Sequence, residues 1–587
     1  MNAILRNILI VACCFAAVSC YKDLGNYDYH EINELTITPG SYSYSIGAPT
    51  EILLEPKVEQ KKGFETENLS YCWQKPVSGV QWDVVGNEPT YLLQISETDD
   101  QPINLIFSVT DNDAGITSYA EVVVTPIIAF ENCWFLLQDR GGKAVLGSVD
   151  GEGTQRSVTT DIYKSKNGGQ ELQGTPLFLG VQPYLMSDPM IEQTGNRENL
   201  LGVFTSAEQY ILEASSLHAH PDLNYDRIVY GRHLSGENMP VDDGSGPSFM
   251  IGQYKGFAIA DGGTLWYAMD DELALMYPLR LDPGLDSDPY NYTAGDANLS
   301  YGGGSNNLIM YDSRNNRFLS YDNTVDRGGM AYYERLDIVE GGGSEDDLYL
   351  NFNRNNTVYL TAIGDNGKGN LFDPDHLESG LVMDNMGMST AGQYTSNVLA
   401  VGHVGSTFHA YELSMDAIIG NDNSYSRCSG KWTVPAEGDL SYYSEGKIPV
   451  TTSSYFTRMF FYAAGNAIYR VDLSQASPAV AKIWESENAS DVVTGLKFKS
   501  DNQDLWYDDY LTTKGILHHL GAIVRRQDES CVFVEFNMTP AGEIEQNSEG
   551  GQSISVFGDG VDSDGDPIFS NVVDFIFSYR DKTYTLE

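Results

Sequence analysis

The chain has 587 residues, enough for two to four domains or one large repeat architecture. Hydrophobic residues make up 41% of it and charged residues only 20%, so there is material for a sizeable core and the composition argues against intrinsic disorder. Acidic residues outnumber basic ones 82 to 35, and a net charge of −47 repels phosphate backbones, which argues against nucleic acid as a partner. The 58 Gly and 37 Tyr favour a turn-rich, all-β, extracytoplasmic protein over a helical one.

Residues 1–20 read as a processing segment. Arg6 supplies a positive end, and Ile8 to Val18 is an apolar run of signal-peptide length, too short to cross a bilayer as a helix. The run ends in Ala17-Val18-Ser19-Cys20, which resembles a bacterial lipobox. The resemblance implies that Cys20 becomes the first mature residue and carries acyl chains such as palmitate. Tyr21-Lys22-Asp23 resembles the export signal of surface lipoproteins in gut Bacteroidota, which implies an outer-membrane protein facing the cell exterior. Later stretches are too short in apolar residues to span, so attachment is expected by lipid alone. Residues 21–34 are polar and Tyr-rich and read as a tether.

From Leu35 to Pro126 short β runs alternate with turn residues. Leu69 to Gln74 alternates as a half-buried strand does, and Ile103 to Thr110 and Ser118 to Thr125 are joined by Asp111-Asn112-Asp113-Ala114-Gly115, strong turn chemistry. That length suits a β-sandwich. The Tyr71-Cys72-Trp73 strand and the Val109 to Gly115 turn resemble a PKD-type domain over residues 35–126. Such domains are spacers or adhesion modules, and loops in some of them hold calcium. Asp111 and Asp113 are therefore weighed as cation ligands against a plain hydrogen-bonded turn, which is favoured.

Residues 130–587 have another texture. Strand pairs split by Gly, Asn or Asp recur, among them Phe257 to Ala260 with Leu265 to Ala268, Leu308 to Asp312 with Arg317 to Tyr321, and Asn397 to Val401 with Thr407 to Leu413. Tyr462 to Asp472 is the clearest copy, with Gly465-Asn466 as its hairpin turn. Repeated hairpins predict a β-propeller, with seven blades favoured and six or eight open; stacked sandwiches are the alternative fold. Seven units give about 65 residues each, more than the roughly 40–50 of compact blades, so long insertions are expected. Asp282 to Asn307 and Glu340 to Asp347 read as such insertions.

The lipobox, the Tyr21 to Tyr27 start, a PKD-like domain and a degenerate propeller together resemble the PKD-like family lipoproteins of Bacteroidota. The Trp134 to Leu137 strand, Met310-Tyr311-Asp312 followed by Arg317-Phe318-Leu319, and the terminal Val573 to Ile576 fit that pattern. Membership implies nutrient capture beside a TonB-dependent barrel and its lipoprotein lid.

Signs of catalysis are thin. The chain lacks a Gly-x-Ser-x-Gly elbow and a phosphate-cradling loop. His218 and His220 in one loop could ligate zinc with a third donor, as could His518 and His519, but a His-Glu-x-x-His pattern is lacking and His220-Pro221-Asp222 reads as a turn, which is favoured. With 82 acidic residues, chance carboxylate pairs carry no signal for glycoside cleavage. Asp562, Asp564 and Asp566 form the densest acidic cluster and are the candidate calcium ligands, as the one cofactor considered. Cys72, Cys133, Cys428 and Cys531 remain beyond the signal and allow three disulfide pairings, with free buried thiols equally compatible. Ligand contacts are expected from Tyr-rich loops: Tyr290 and Tyr292, Tyr332 and Tyr333, and Tyr442 and Tyr443 with Trp432. The reading is a non-catalytic surface lipoprotein binding an oligosaccharide or peptide. The alternatives are a propeller lyase or glycosidase, and an adhesion module.

Overall fold

The computed structural model describes residues 33–579 apart from 41, 46–49, 79–80, 97–100, 128–129, 131, 152–155, 183–199, 215, 220–224, 226–244, 254–255, 270–276, 303–304, 322–358, 393–394, 419–423, 444–445, 500–517 and 548–549. The chain divides after Ile128 into two units. Cys20, nearly all of the tether, and the Glu340 to Asp347 segment lie outside the described residues. Among the described residues no helix is long and apolar enough to cross a membrane.

The first unit is a β-sandwich. Its larger sheet orders Tyr42–Ser45, Ile116–Ile127, Ile103–Asp111, Leu69–Ser78 and Gln81–Gly86, and two-stranded pairs are made by Leu35–Thr38 with Lys57–Gln60 and by Thr50–Leu54 with Tyr91–Ile95. The alternation seen in the sequence puts Trp73, Leu105, Phe107, Val109, Val122 and Val124 on one buried face. The Asp111 carboxylate accepts the N–H groups of Asp113 and Ala114, both at 2.9 Å, and Gly115 takes the positive φ that closes the turn. Asp113 is taken up by Thr66 and Asn68. Both acids thus belong to a hydrogen-bonded turn. Asn33, at the end of the expected tether, is buried, and its amide bonds Gln60 and Asp111. The fold therefore begins by Asn33, because a buried acid needs that donor.

Among the described residues the second unit is a propeller of seven sheets. In the order of the ring, the innermost strands are Val572–Tyr579, Pro176–Gln182, Pro247–Gln253, Ala294–Gly302, Val382–Gly392, Val450–Thr451 and Val492–Phe498. Blade 1 is closed by the two ends of the unit: Val572–Tyr579 pairs antiparallel with Asn132–Asp139, Trp134 facing Phe577 and Leu136 facing Phe575. Asn132–Asp139 then pairs with Ala144–Asp150, and that strand with Ser157–Thr159. Among the described residues blade 2 shows three strands, blade 4 has five in order, and blade 7 has four in order with Phe569–Ser570 added beside the third. The hairpin at Gly465-Asn466 is as the sequence predicts, Ala464 facing Ala467 with Gly465 at positive φ.

One expectation fails. Asp282 to Asn307 is not an insertion, since it contains Ala294–Gly302, the innermost strand of blade 4. Crowding near the axis favours small and polar residues there, which hides the strand from a hydrophobicity reading. The Asp312 and Arg317 motif has a local cause: the buried Asp312 carboxylate accepts from Arg314 and Asn315 N–H and meets Arg317 Nε at 2.9 Å across the hairpin.

The core of the propeller lies between blades. Apolar clusters join blades 3 and 4, 4 and 5, 5 and 6, 6 and 7, and 7 and 1. At the closure Trp134 packs against Phe533, Phe575 and Phe577. Gly521 is required beside it, because a Cβ there would sit 2.9 Å from Phe533 and 3.0 Å from Trp134. The Trp134 indole N–H donates to Glu535 at 2.7 Å, and Arg156 of blade 1 meets the same carboxylate at 2.5 Å. Lys499 at 3.4 Å and His519 at 3.4 Å approach it from blade 7. Cys133, Cys428 and Cys531 are buried free thiols, and Cys72 is free and half-buried.

The Glu535 side chain is only 3% exposed. Burial alone would raise its carboxyl, but the His519 ring and the charges of Lys499 and Arg156 outweigh that and hold it well below the ordinary carboxylate range. A depressed folded-state pKa contributes stability that is complete above the unfolded value of about 4.3 and is lost as pH falls below it. Glu535→Gln is expected to cost roughly 3–5 kcal/mol at pH 7. In urea unfolding the gap to the wild type should narrow as pH drops from about 5 toward 2; a gap that stays constant with pH would show that the charge on Glu535 does not hold the closure.

Candidate functional site

The inner strands of all seven blades line a cavity of about 510 Å³ on the propeller axis. That volume lies within the range of small-ligand pockets. Its wall combines Phe178, Phe249, Met386, Met388, Phe498 and Phe577 with Asp296, Asp384, Asp574, Asn298, Asn385, Lys447 and Lys497. Each acid ties one blade to another. Asp574 of blade 1 accepts Leu179 N–H of blade 2 at 2.8 Å and Lys497 Nζ of blade 7 at 2.6 Å. Asp384 of blade 5 accepts Ile448 N–H, ahead of the blade 6 inner strand, at 2.8 Å. Asp296 of blade 4 takes Lys447 Nζ at 3.0 Å.

Asp384 is also 2.8 Å from His403 Nδ1 and is fully buried at its side chain. Burial pushes its carboxyl above the usual range, against the pull of His403 and the Ile448 N–H. Asn385 donates to Thr452 Oγ1 at 3.1 Å, another tie between blades 5 and 6. The site is therefore a polar collar that staples inner strands together, with an apolar wall of Phe and Met between the staples.

The sequence-predicted contacts fall elsewhere. Tyr292 is a correction: it is 3% exposed, and its hydroxyl donates to Leu279 O at 2.8 Å and accepts Leu265 N–H, so it is core between blades 3 and 4. Tyr290 is half-buried against that cluster and accepts Arg280 Nε at 3.1 Å. Trp432 sits on the outermost strand of blade 5, Cys428–Pro435, under the Arg458 guanidinium, which pairs with Glu412 at 2.7 Å. Tyr443 donates to Val493 O at 2.6 Å and packs between blades, while Tyr442 on the same short turn is 52% exposed. Tyr332 and Tyr333 lie outside the described residues. None of the five described aromatics lines the axial cavity.

The acidic cluster is corrected too. Asp562 accepts the N–H groups of Asp564 and Asp566 on one oxygen, and its other oxygen lies 3.7 Å from Arg140. Asp564 and Asp566 point to solvent. Among the described residues no group of three or more His, Cys, Asp or Glu is placed to hold a metal ion. The pattern of alternating Asp and Gly serves turn formation here, with the Asp562 side chain satisfying two backbone N–H groups locally. The cavity residues were missed for different reasons: Asp574 and Lys497 are single charged positions inside apolar strands, Asp384 and Asn385 interrupt another, and Asp296 and Asn298 lie in a strand that reads as a loop. In the apolar strands that interruption was the available signal.

A sandwich followed by a seven-bladed propeller defines the class of protein. Residues 20–176 match the PKD-like family. No curated protein matches the chain in sequence. Among solved structures it is similar to a quinonprotein alcohol dehydrogenase-like protein of Bacteroides thetaiotaomicron, at 12% identity and a TM-score of 0.36, covering 86% of this chain and 93% of that one. It is also similar to AztD of Citrobacter koseri, at 6% identity and a TM-score of 0.29, covering 87% and 98%. A third is the WD40 domain of SCAP from fission yeast, at 8% identity and a TM-score of 0.29, covering 67% and 78%. With scores this low, the blade count rests on the sheet order of this chain.

Removing an acid staple is expected to cost more than removing its lysine. Asp574→Ala strands the Leu179 N–H and Lys497 and should destabilise by about 1–3 kcal/mol. Lys497→Met should cost less than about 1 kcal/mol, because its side chain is 39% exposed. Equal losses in urea unfolding would show that the ion pair, not the tie to the Leu179 amide, does the holding.

Proposed function

We propose that the chain is a lipid-anchored outer-membrane lipoprotein that captures a nutrient ligand in the axial cavity and delivers it to a TonB-dependent barrel with its lipoprotein lid. The observation that carries the reading is the cavity itself: about 510 Å³, lined by every blade, with fixed polar groups on an apolar wall. The Ala17 to Cys20 motif and the PKD-like match over residues 20–176 support surface attachment.

The state of the acids favours binding over catalysis. A glycosidase needs one carboxyl to give a proton and a second to act as base or nucleophile. Here Asp296, Asp384 and Asp574 each bind a cation, an imidazole or a backbone N–H of a neighbouring blade. Their lone pairs hold the ring together, and a reaction would have to break that hold at every turnover.

The test is isolation of the tagged full chain from its native outer membrane. A TonB-dependent barrel and a lid lipoprotein are expected to co-purify, and the Cys20→Ala chain should lose both palmitate labelling and membrane attachment. A Cys20→Ala chain that keeps its palmitate labelling would overturn the lipid anchor, and a wild-type chain that purifies alone while releasing reducing ends from surface polysaccharide would replace uptake with the enzyme reading.

A further inference from the structure

The cavity contains one polar atom that the fold leaves without a donor. Asn298 lines it from the inner strand of blade 4 and is 6% exposed. Its Nδ2 donates to Met386 O at 3.3 Å across to blade 5, which fixes the amide orientation, and its Oδ1 has no hydrogen-bond partner among the described residues. A buried carbonyl without a protein donor is disfavoured unless water or a ligand supplies one, and a ligand ammonium can displace that water. Asp296 lies two residues earlier on the same strand and so on the same face. Asp296 Oδ1 already accepts Ala297 N–H at 2.8 Å and its Oδ2 receives Lys447 Nζ at 3.0 Å, so Asn298 Oδ1 is the acceptor left open to an ammonium group, with the Asp296 carboxylate beside it.

The rest of the wall narrows the class. Lys447 is paired with Asp296, while Lys497, paired with Asp574 and 39% exposed, keeps N–H donors that can also meet a carboxylate. Among the described residues the lining holds no Trp or Tyr, the amphipathic rings on which sugars stack, and offers Phe178, Phe249, Phe498 and Met386 instead. Met and Phe accept varied apolar side chains. The chain's net charge of −47 attracts cationic groups to the protein and repels acidic glycans.

We infer that the axial cavity binds a short peptide through its free amino terminus, held by Asn298 Oδ1 with Asp296 beside it, with apolar side chains against the Phe and Met wall and the terminal carboxylate toward Lys497. This rests on the ligand-capture reading and names its substrate class. The test is calorimetric titration of the full chain in detergent at pH 7 with trileucine, N-acetyl-trileucine and maltotriose.

Trileucine should bind, acetylation should weaken it tenfold or more, and affinity should fall above pH about 8 as the α-amino group loses its proton. Asn298→Ala should weaken trileucine tenfold or more, while Asn298→Asp, which keeps an acceptor, should retain it. Equal binding of the free and acetylated peptides overturns the amino-terminal assignment on the unaltered protein, whatever the variants do. Binding of maltotriose without trileucine overturns the peptide class and leaves nutrient capture standing. Binding of neither overturns the inference, while the co-purification experiment judges the uptake reading separately.

Discussion

The propeller depends on the join between its two chain ends. Val572–Tyr579 supplies the innermost strand of a blade whose other strands begin at Asn132, so blade 1 exists only when residues more than 400 apart have met. Strand pairing alone leaves an edge that could slip, since antiparallel ladders accept several registers. Two features hold the register: the Trp134 ring among Phe533, Phe575 and Phe577, and the Glu535 carboxylate that receives the Trp134 indole and Arg156 across the join. A buried carboxylate is costly unless its oxygens are met. Here blade 1 supplies two of its donors, so blade 7 is satisfied only in the closed ring.

The same logic runs around the axis. Seven inner strands each turn one edge toward the centre, where no further strand can pair with them. Asp574 covers the Leu179 N–H of such an edge, and Asp384 reaches Ile448 beside another. The polar groups that make the cavity receptive are thus the groups that make an axial cavity tolerable. Stability and binding share residues, and only those the fold leaves unfilled, Asn298 Oδ1 above all, are free to discriminate among ligands.

Legibility followed the range of the interactions. Hairpins such as Tyr462 to Asp472 and the Asp111 to Gly115 turn were plain, because period-two alternation and turn residues act over a few positions. The Ala294–Gly302 strand was read as an insertion, because its Gly, Asp, Asn and Ser mimic a loop while serving a crowded, polar axis. The Tyr clusters drew the eye as binding surface, yet Tyr292 and Tyr443 spend their hydroxyls on backbone carbonyls between blades. Aromatic composition marks a residue able to bind and does not say which side of a blade it faces.

Sequence alone determined that the chain is all-β, that a sandwich-sized run of strands precedes repeated hairpins, and that seven repeats fit the length, since patterning and turn chemistry are local; the PKD-like assignment came from family resemblance. Tertiary structure decided which strand is innermost in each blade, how the ring closes, and that Asp296, Asp384, Asp574, Asn298, Lys447 and Lys497 share one cavity. Those residues are scattered from 296 to 574 and have no common motif. What unites them is their place on inner strands around an axis, a relation that comes into being only when all seven blades have packed.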